Sequence, residues 1–302
     1  MKGYFFVLSP FGLAGLVFSL LLFTTCKSKS TTYEPTYSID SAQKKTLLFG
    51  VPTQSYYEMQ AAFVTYLNDH LPETHIRIVA NSNYLTYQDN FNARAFDITL
   101  ANGIMALDSI RLGYSILGTS VDELVNAGVI LVNKDSSINN FSDLKGKLVA
   151  SVGNPALGGH ILPMLYLFKK GLNVNTEIKL KYLESFESII LNIYLGKCSA
   201  GFTTLTGWNN FLKKRPEVAT KVSIKWQTPA VVGNPLLIRN DVSEETISQL
   251  RRVILTMHLN EKGKKALADI GYLKFIPTDS NTYRPLRNIL KEYQELIVDP
   301  KK

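Results

Sequence analysis

Beyond Lys44, short apolar runs of β type alternate with longer stretches of helical period. Residues 46–51 form an almost continuous apolar run between Lys45 and Pro52, the pattern of a buried strand. Across residues 56–71, Met59, Ala62, Phe63, Tyr66, Leu67 and Leu71 fall on one helical face. Ser55 with Glu58 three residues later predicts a capping box at the start of that helix. Residues 75–79, 96–100 and 127–133 read as further strands, giving a β-α-β-α-β series of the α/β layer class. A second series follows: strand 148–152, a glycine-rich turn, helix 161–170, strand 178–183, helix 186–195, then strands 200–204 and 222–226. Strand 236–239, a helix capped by Ser243 and running to about 259, and helical residues 261–270 complete the pattern and pack with the first series.

These series predict two α/β lobes, the second inserted in the first. Lobe 1 takes residues 44–134 and 235–302, lobe 2 residues 135–234, with two crossing strands near 127–136 and 228–240 as a hinge. A ligand would lie in the cleft between them, at the C-terminal ends of strands.

The N-terminus differs in kind. Residues 3–25 carry no charge, Lys2 supplies a positive start, and residues 11–23 are predominantly apolar, the layout of a signal peptide over residues 1–25. Leu22-Phe23-Thr24-Thr25-Cys26 resembles a bacterial lipobox, which implies cleavage before Cys26 and lipidation of its thiol. An uncleaved anchor is the alternative, since residues 4–23 are about the length that crosses a bilayer. Residues 26–43, without periodicity, read as a flexible tether.

Composition narrows the chemistry. The 302 residues are 45% hydrophobic and 19% charged, enough for real cores and incompatible with disorder. A net charge of +8 mildly favours anionic partners. Two cysteines, Cys26 and Cys198, make neither a disulfide framework nor a thiolate zinc site. The four histidines show no metal-ligand spacing and no GxSxG elbow is present, so no catalytic residue, metal or cofactor is expected. Cys198 reads as a small buried hydrophobe. The clusters Lys213-Lys214-Arg215 and Arg251-Arg252 lack aromatic interleaving, which argues against a nucleic-acid partner and for solvated faces.

Residues 149–160 (VASVGNPALGGH) are the most informative. A strand entering a glycine-rich turn and then a helix presents unpaired backbone N–H groups, with the helix dipole behind them, to an anion. Gly159 and His160 stand where a P-loop needs Lys and Ser or Thr, so an ATPase is excluded. A tight turn whose glycines only permit strand–helix packing is the competing reading.

Several segments together resemble the phosphate, phosphite and phosphonate type of periplasmic substrate-binding protein of ABC importers, with its type II binding-protein fold. They are KDS at 134–136, FSDLKGK at 141–147, the Asn154-Pro155 turn with Gly159 and Pro163, and LGKCSAG at 195–201. GNPLLIRND at 233–241, NEKGK at 260–264 and YRPLR at 283–287 extend the likeness over roughly residues 48–290. Where the family usually carries Asp-Pro-x-Ser-Thr-Ser-Gly, this chain has Asn154-Pro155-Ala156-Leu157-Gly158-Gly159, without hydroxyls. A less anionic or more apolar ligand is therefore open. The family's His-Asp pair is matched by Phe186 and Glu187, preceded by Ser185.

The resemblance and the strand-end rule together give the candidate ligand-binding residues. They are Thr53, Gln54 and Tyr56 after the first strand; Asn102 and Gly103 after strand 96–100; Asn154, Gly158, Gly159 and His160 in the turn; Ser185 and Glu187; Thr203 and Thr204; and Asn234. Thr206 is a similar candidate, and capping is the competing role for residues 53–56. Among Tyr84, Tyr87, Trp208 and Trp226, some line the cleft and at least half belong to core or surface. With the signal pattern and the lipobox-like motif, the resemblance gives an exported, lipid-anchored, monomeric protein that is expected to bind a small, phosphonate- or phosphate-like ligand for an ABC permease and to catalyse nothing. A ligand sensor without a transporter and an enzyme on the same scaffold are the alternatives.

Overall fold

The computed structural model describes residues 44–122, 126–154 and 156–300. The signal peptide, the tether, Cys26 and Pro155 lie outside the described residues. The chain first forms β1 (Lys45–Val51), α1 (Gln54–Asp69), β2 (Thr74–Ala80), α2 (Tyr84–Asn92), β3 (Ile98–Leu100), α3 (Gly103–Ser109) and β4 (Tyr114–Asp122). Next come β5 (Gly128–Asn133), β6 (Leu148–Ser151), α4 (Leu162–Lys169), β7 (Lys179–Tyr182), α5 (Phe186–Tyr194), β8 (Ala200–Thr204), α6 (Leu205–Lys214) and β9 (Val222–Gln227). The last elements are β10 (Pro235–Arg239), α7 (Glu244–Thr256), α8 (Glu261–Asp269), β11 (Tyr272–Ile276) and α9 (Pro285–Tyr293).

The strands build a six-stranded sheet, β11-β4-β10-β3-β1-β2, and a five-stranded sheet, β7-β6-β8-β5-β9. In each, a parallel core (β2-β1-β3 and β7-β6-β8) is flanked by antiparallel strands. Everything in the second sheet lies between β4 and β10 in sequence, so the second lobe is inserted in the first. Strand β5 explains its own unbroken apolar run: Ile130 and Val132 enter the core against Leu165, while Val129 and Leu131 enter the core against Ile189. Both faces of that strand are buried.

Three expectations change. The segment 127–133 is a central strand of the second sheet, not a hinge strand; the chain crosses between Asp122 and Gly128 and returns between Gln227 and Pro235. The crossings are tied together, with Asn126 Nδ2 donating to the Val232 carbonyl (2.7 Å) and Val231 N to the Asn126 carbonyl (2.8 Å). Residues 283–297, counted with lobe 1 from their place in the sequence, straddle both lobes. Tyr283, Leu286, Tyr293 and Ile297 share one core with Ile104 of α3 and Leu165 of α4. Finally, α1 starts at Gln54 with Thr53 as its N-cap residue, and the Ser55–Glu58 box does not form.

Candidate functional site

A cavity of about 640 Å³ separates the lobes. Each lobe contributes helix starts that follow a strand. Ser55 and Tyr56 come from the first turn of α1, and Asn102 caps α3. The second lobe supplies Ala156, Leu157, Gly158 and Gly159, Phe186 and Glu187 at the start of α5, and Thr204, Thr206 and Gly207 at the start of α6. The first N–H groups of a helix have no partner within it and carry the positive end of its dipole. Their convergence makes the inner cleft suited to an anion.

The turn after β6 has a specific build. Gly153 sits at φ +81°, which a side chain would oppose. Residues 157–161 then form one wide π-type turn before α4. A Cβ on Gly158 would lie 2.7 Å from Thr204 Cγ2, and one on Gly159 2.4 Å from the Phe186 ring, so bare backbone is required at both positions. The turn is fixed from below by Ser151, whose Oγ accepts from Gly153 N at 3.0 Å and lies 2.7 Å from His160 Nδ1. His160 Nε2 in turn lies 2.9 Å from Tyr293 Oη.

Polar side chains complete the lining. Asn102 Oδ1 accepts from the amides of Ile104 and Met105, and its Nδ2 donates to Tyr84 Oη at 3.4 Å. Thr204 Oγ1 accepts from Gly207 N at 2.9 Å, a side-chain cap on α6. On the floor, Asn234 Nδ2 donates to Tyr272 Oη at 3.0 Å. Beside it Ser120 Oγ donates to Asp122 Oδ1 at 2.6 Å and accepts from Asn234 N at 2.8 Å. Burial pushes the Asp122 carboxyl up from 3.8 to about 6. It likewise raises the phenols of Tyr56, Tyr84 and Tyr272. At the rim, Lys214 Nζ of α6 lies 3.4 Å from Glu58 Oε2 of α1, and Asn210 Nδ2 lies 3.4 Å from Met59 Sδ, so the lobes touch across the cleft mouth.

Of the expected residues, Tyr56, Asn102, Gly158, Gly159, Glu187, Thr204 and Asn234 line the cavity. The others are placed elsewhere. Thr53 and Thr203 are buried with hydroxyls lacking a partner among the described residues, and Gln54 and Asn154 are exposed. Ser185 caps α5 through Ser188 N, and Gly103 packs against Leu286 and Tyr283. His160, 2% exposed, faces Ser151 and Tyr293 outside the cavity lining, and burial pushes its imidazole down to about 4. It is a neutral structural histidine. Tyr84 lines the cavity, whereas Tyr87 and Trp208 are core and Trp226 stacks on Phe141. Asp122, Asn126, Asn210 and Tyr272 line it without having been singled out in the sequence.

Comparison with known proteins gives one consistent picture. The family model described as "ABC transporter, phosphonate, periplasmic substrate-binding protein" matches residues 50–283. The phosphonates-binding periplasmic protein of Escherichia coli (strain K12) is 23% identical over 291 residues, covering 92% of this chain and 86% of that protein. A binding protein component of an ABC phosphonate transporter from Pseudomonas aeruginosa superposes with a TM-score of 0.77 at 20% identity, over 84% of this chain and 88% of that one. A Prochlorococcus marinus protein in complex with methylphosphonate gives 0.73 at 20% identity, over 83% and 99%. At such identities the superpositions establish the two-lobed type II fold.

Proposed function

We propose, because this chain belongs to the family of periplasmic phosphonate-binding proteins of ABC transporters, that its cleft holds the phosphonate oxygens on backbone amides at the 156–159 turn and at the starts of α5 and α6. The observation that carries this reading is the convergence of those helix starts, together with Gly158 and Gly159, on one cavity. Charge-assisted N–H···O bonds are shorter and about twice as strong as neutral ones, which offsets desolvation of the anion. Rotation about the two crossings brings Asn102 and Tyr84 of the first lobe onto a ligand seated on the second. Affinity then depends on contacts made only when the cleft shuts.

The ligand leaves unchanged. His160 and Cys198 lie outside the lining, so neither is placed to activate a nucleophile in the cleft. The signal pattern and the 22–26 motif support export, with Cys26 as a lipid anchor that holds a monomer on the periplasmic side beside its permease. Titration calorimetry of the full-length protein with methylphosphonate, phosphate and methanesulfonate tests the ligand class. Saturable heat with methylphosphonate is expected; no heat with any of the three refutes the reading.

A further inference from the structure

The cleft continues well past its anion-facing end. Tyr56, Met59 and Ala62 lie along one face of α1, and Phe186, Ile190 and Phe211 face the cavity from α5 and α6. With a rise of about 1.5 Å per residue, the α1 wall runs roughly 9 Å from Tyr56 to Ala62. The anion turn begins with Ala156 and Leu157, which also line the cavity. A cavity of about 640 Å³ falls in the range that encloses ligands many times larger than a methylphosphonate. With only a methyl group in place, the apolar wall would remain against water, and its burial would contribute nothing to closure.

Resting on the phosphonate reading above, we infer that the preferred ligand is a phosphonate whose carbon substituent is extended and apolar, a butyl chain or an aryl ring. The substituent lies between Met59 of the first lobe and Ile190 and Phe211 of the second. Met59 and, from the other lobe, Ile190 and Phe211 line the same cavity, so an apolar group lying along this wall is bordered by both lobes. Such a group couples substituent recognition to closure.

The test is a calorimetric series on the full-length protein with methyl-, ethyl-, butyl-, phenyl- and 2-aminoethylphosphonate. Burial of each added methylene should tighten binding roughly fourfold, about 60-fold from methyl to butyl, with the phenyl compound at least as tight as butyl. Met59→Gln, which keeps the length of the side chain but makes its end polar, should reduce the butyl-to-methyl ratio at least threefold. A ratio unchanged in that variant overturns the placement of the substituent. A flat or declining series, or 2-aminoethylphosphonate binding more tightly than butylphosphonate, overturns the inference while leaving phosphonate binding intact. If none of the compounds binds, the functional reading fails and this inference fails with it.

Discussion

Asp122→Asn isolates a single half-buried charge. The carboxylate sits on the cleft floor with a hydroxyl donor, Ser120, and burial raises it from 3.8 to about 6. Between those values the folded protein holds a proton that the unfolded chain has released. Stability contributed by this group therefore rises as pH falls through about 6. Above that pH the ionised form costs the fold, at about 1.4 kcal/mol per pKa unit, up to roughly 3 kcal/mol. His160 works in the opposite direction. Its value, lowered from 6.5 to about 4, means that the unfolded chain takes up a proton first and stability is lost as pH falls across that interval. The two slopes oppose each other in the parent protein, so the informative quantity is the difference between variant and parent. Asparagine keeps an oxygen for the Ser120 hydroxyl and removes the charge. Urea unfolding should show the variant more stable by up to roughly 3 kcal/mol near pH 7.5, with most of that gain gone near pH 4. A difference independent of pH, or a less stable variant near pH 7.5, would refute the reasoning.

Further outcomes follow from the turn and the N-terminus. Gly159→Asp should abolish binding of any anionic ligand, and Gly159→Ala should weaken it at least tenfold because the new Cβ strikes the Phe186 ring. Partial recovery of methylphosphonate affinity, measured by calorimetry, is expected when Phe186→Leu is added to Gly159→Ala. Full affinity in Gly159→Asp would remove the turn from the site. Mass spectrometry of the membrane-extracted protein should find Cys26 as a lipid-bearing N-terminus; a chain that retains residues 1–25 would favour the uncleaved anchor.

What the sequence revealed depended on how local the determining contacts are. Strands such as β1 and β5 are buried on both faces and announce themselves as apolar runs, and Ser243 caps α7 through Thr246 N as expected. Strand β4 carries Ser115, Gly118, Thr119 and Ser120, and its mixed pattern hid it. Helix α2 did have a signal, Tyr84, Tyr87 and Phe91 at helical spacing behind the Asn83 cap. The glycine turn and Asn102 were legible because strand-turn-helix is a contiguous pattern. The roles of Asp122 and His160 were not, since each is decided by distant partners: Asn234 and Tyr272 around the first, Tyr293 beside the second. The C-terminal helix misled for the same reason. Its sequence neighbours belong to one lobe and its apolar face to both.

The contacts across the cleft mouth also set a clock. Glu58–Lys214 and Met59–Asn210 join the lobes at the rim, so parting the rim breaks both contacts. A ligand that enters by that route is expected to associate in two regimes: linear in ligand concentration when ligand is scarce, and limited by the opening rate when it is abundant. Because the ion pair is exposed, ionic strength loosens it and acts on that ceiling. A surface ion pair that need not touch the ligand would thereby set how quickly the cleft can be filled.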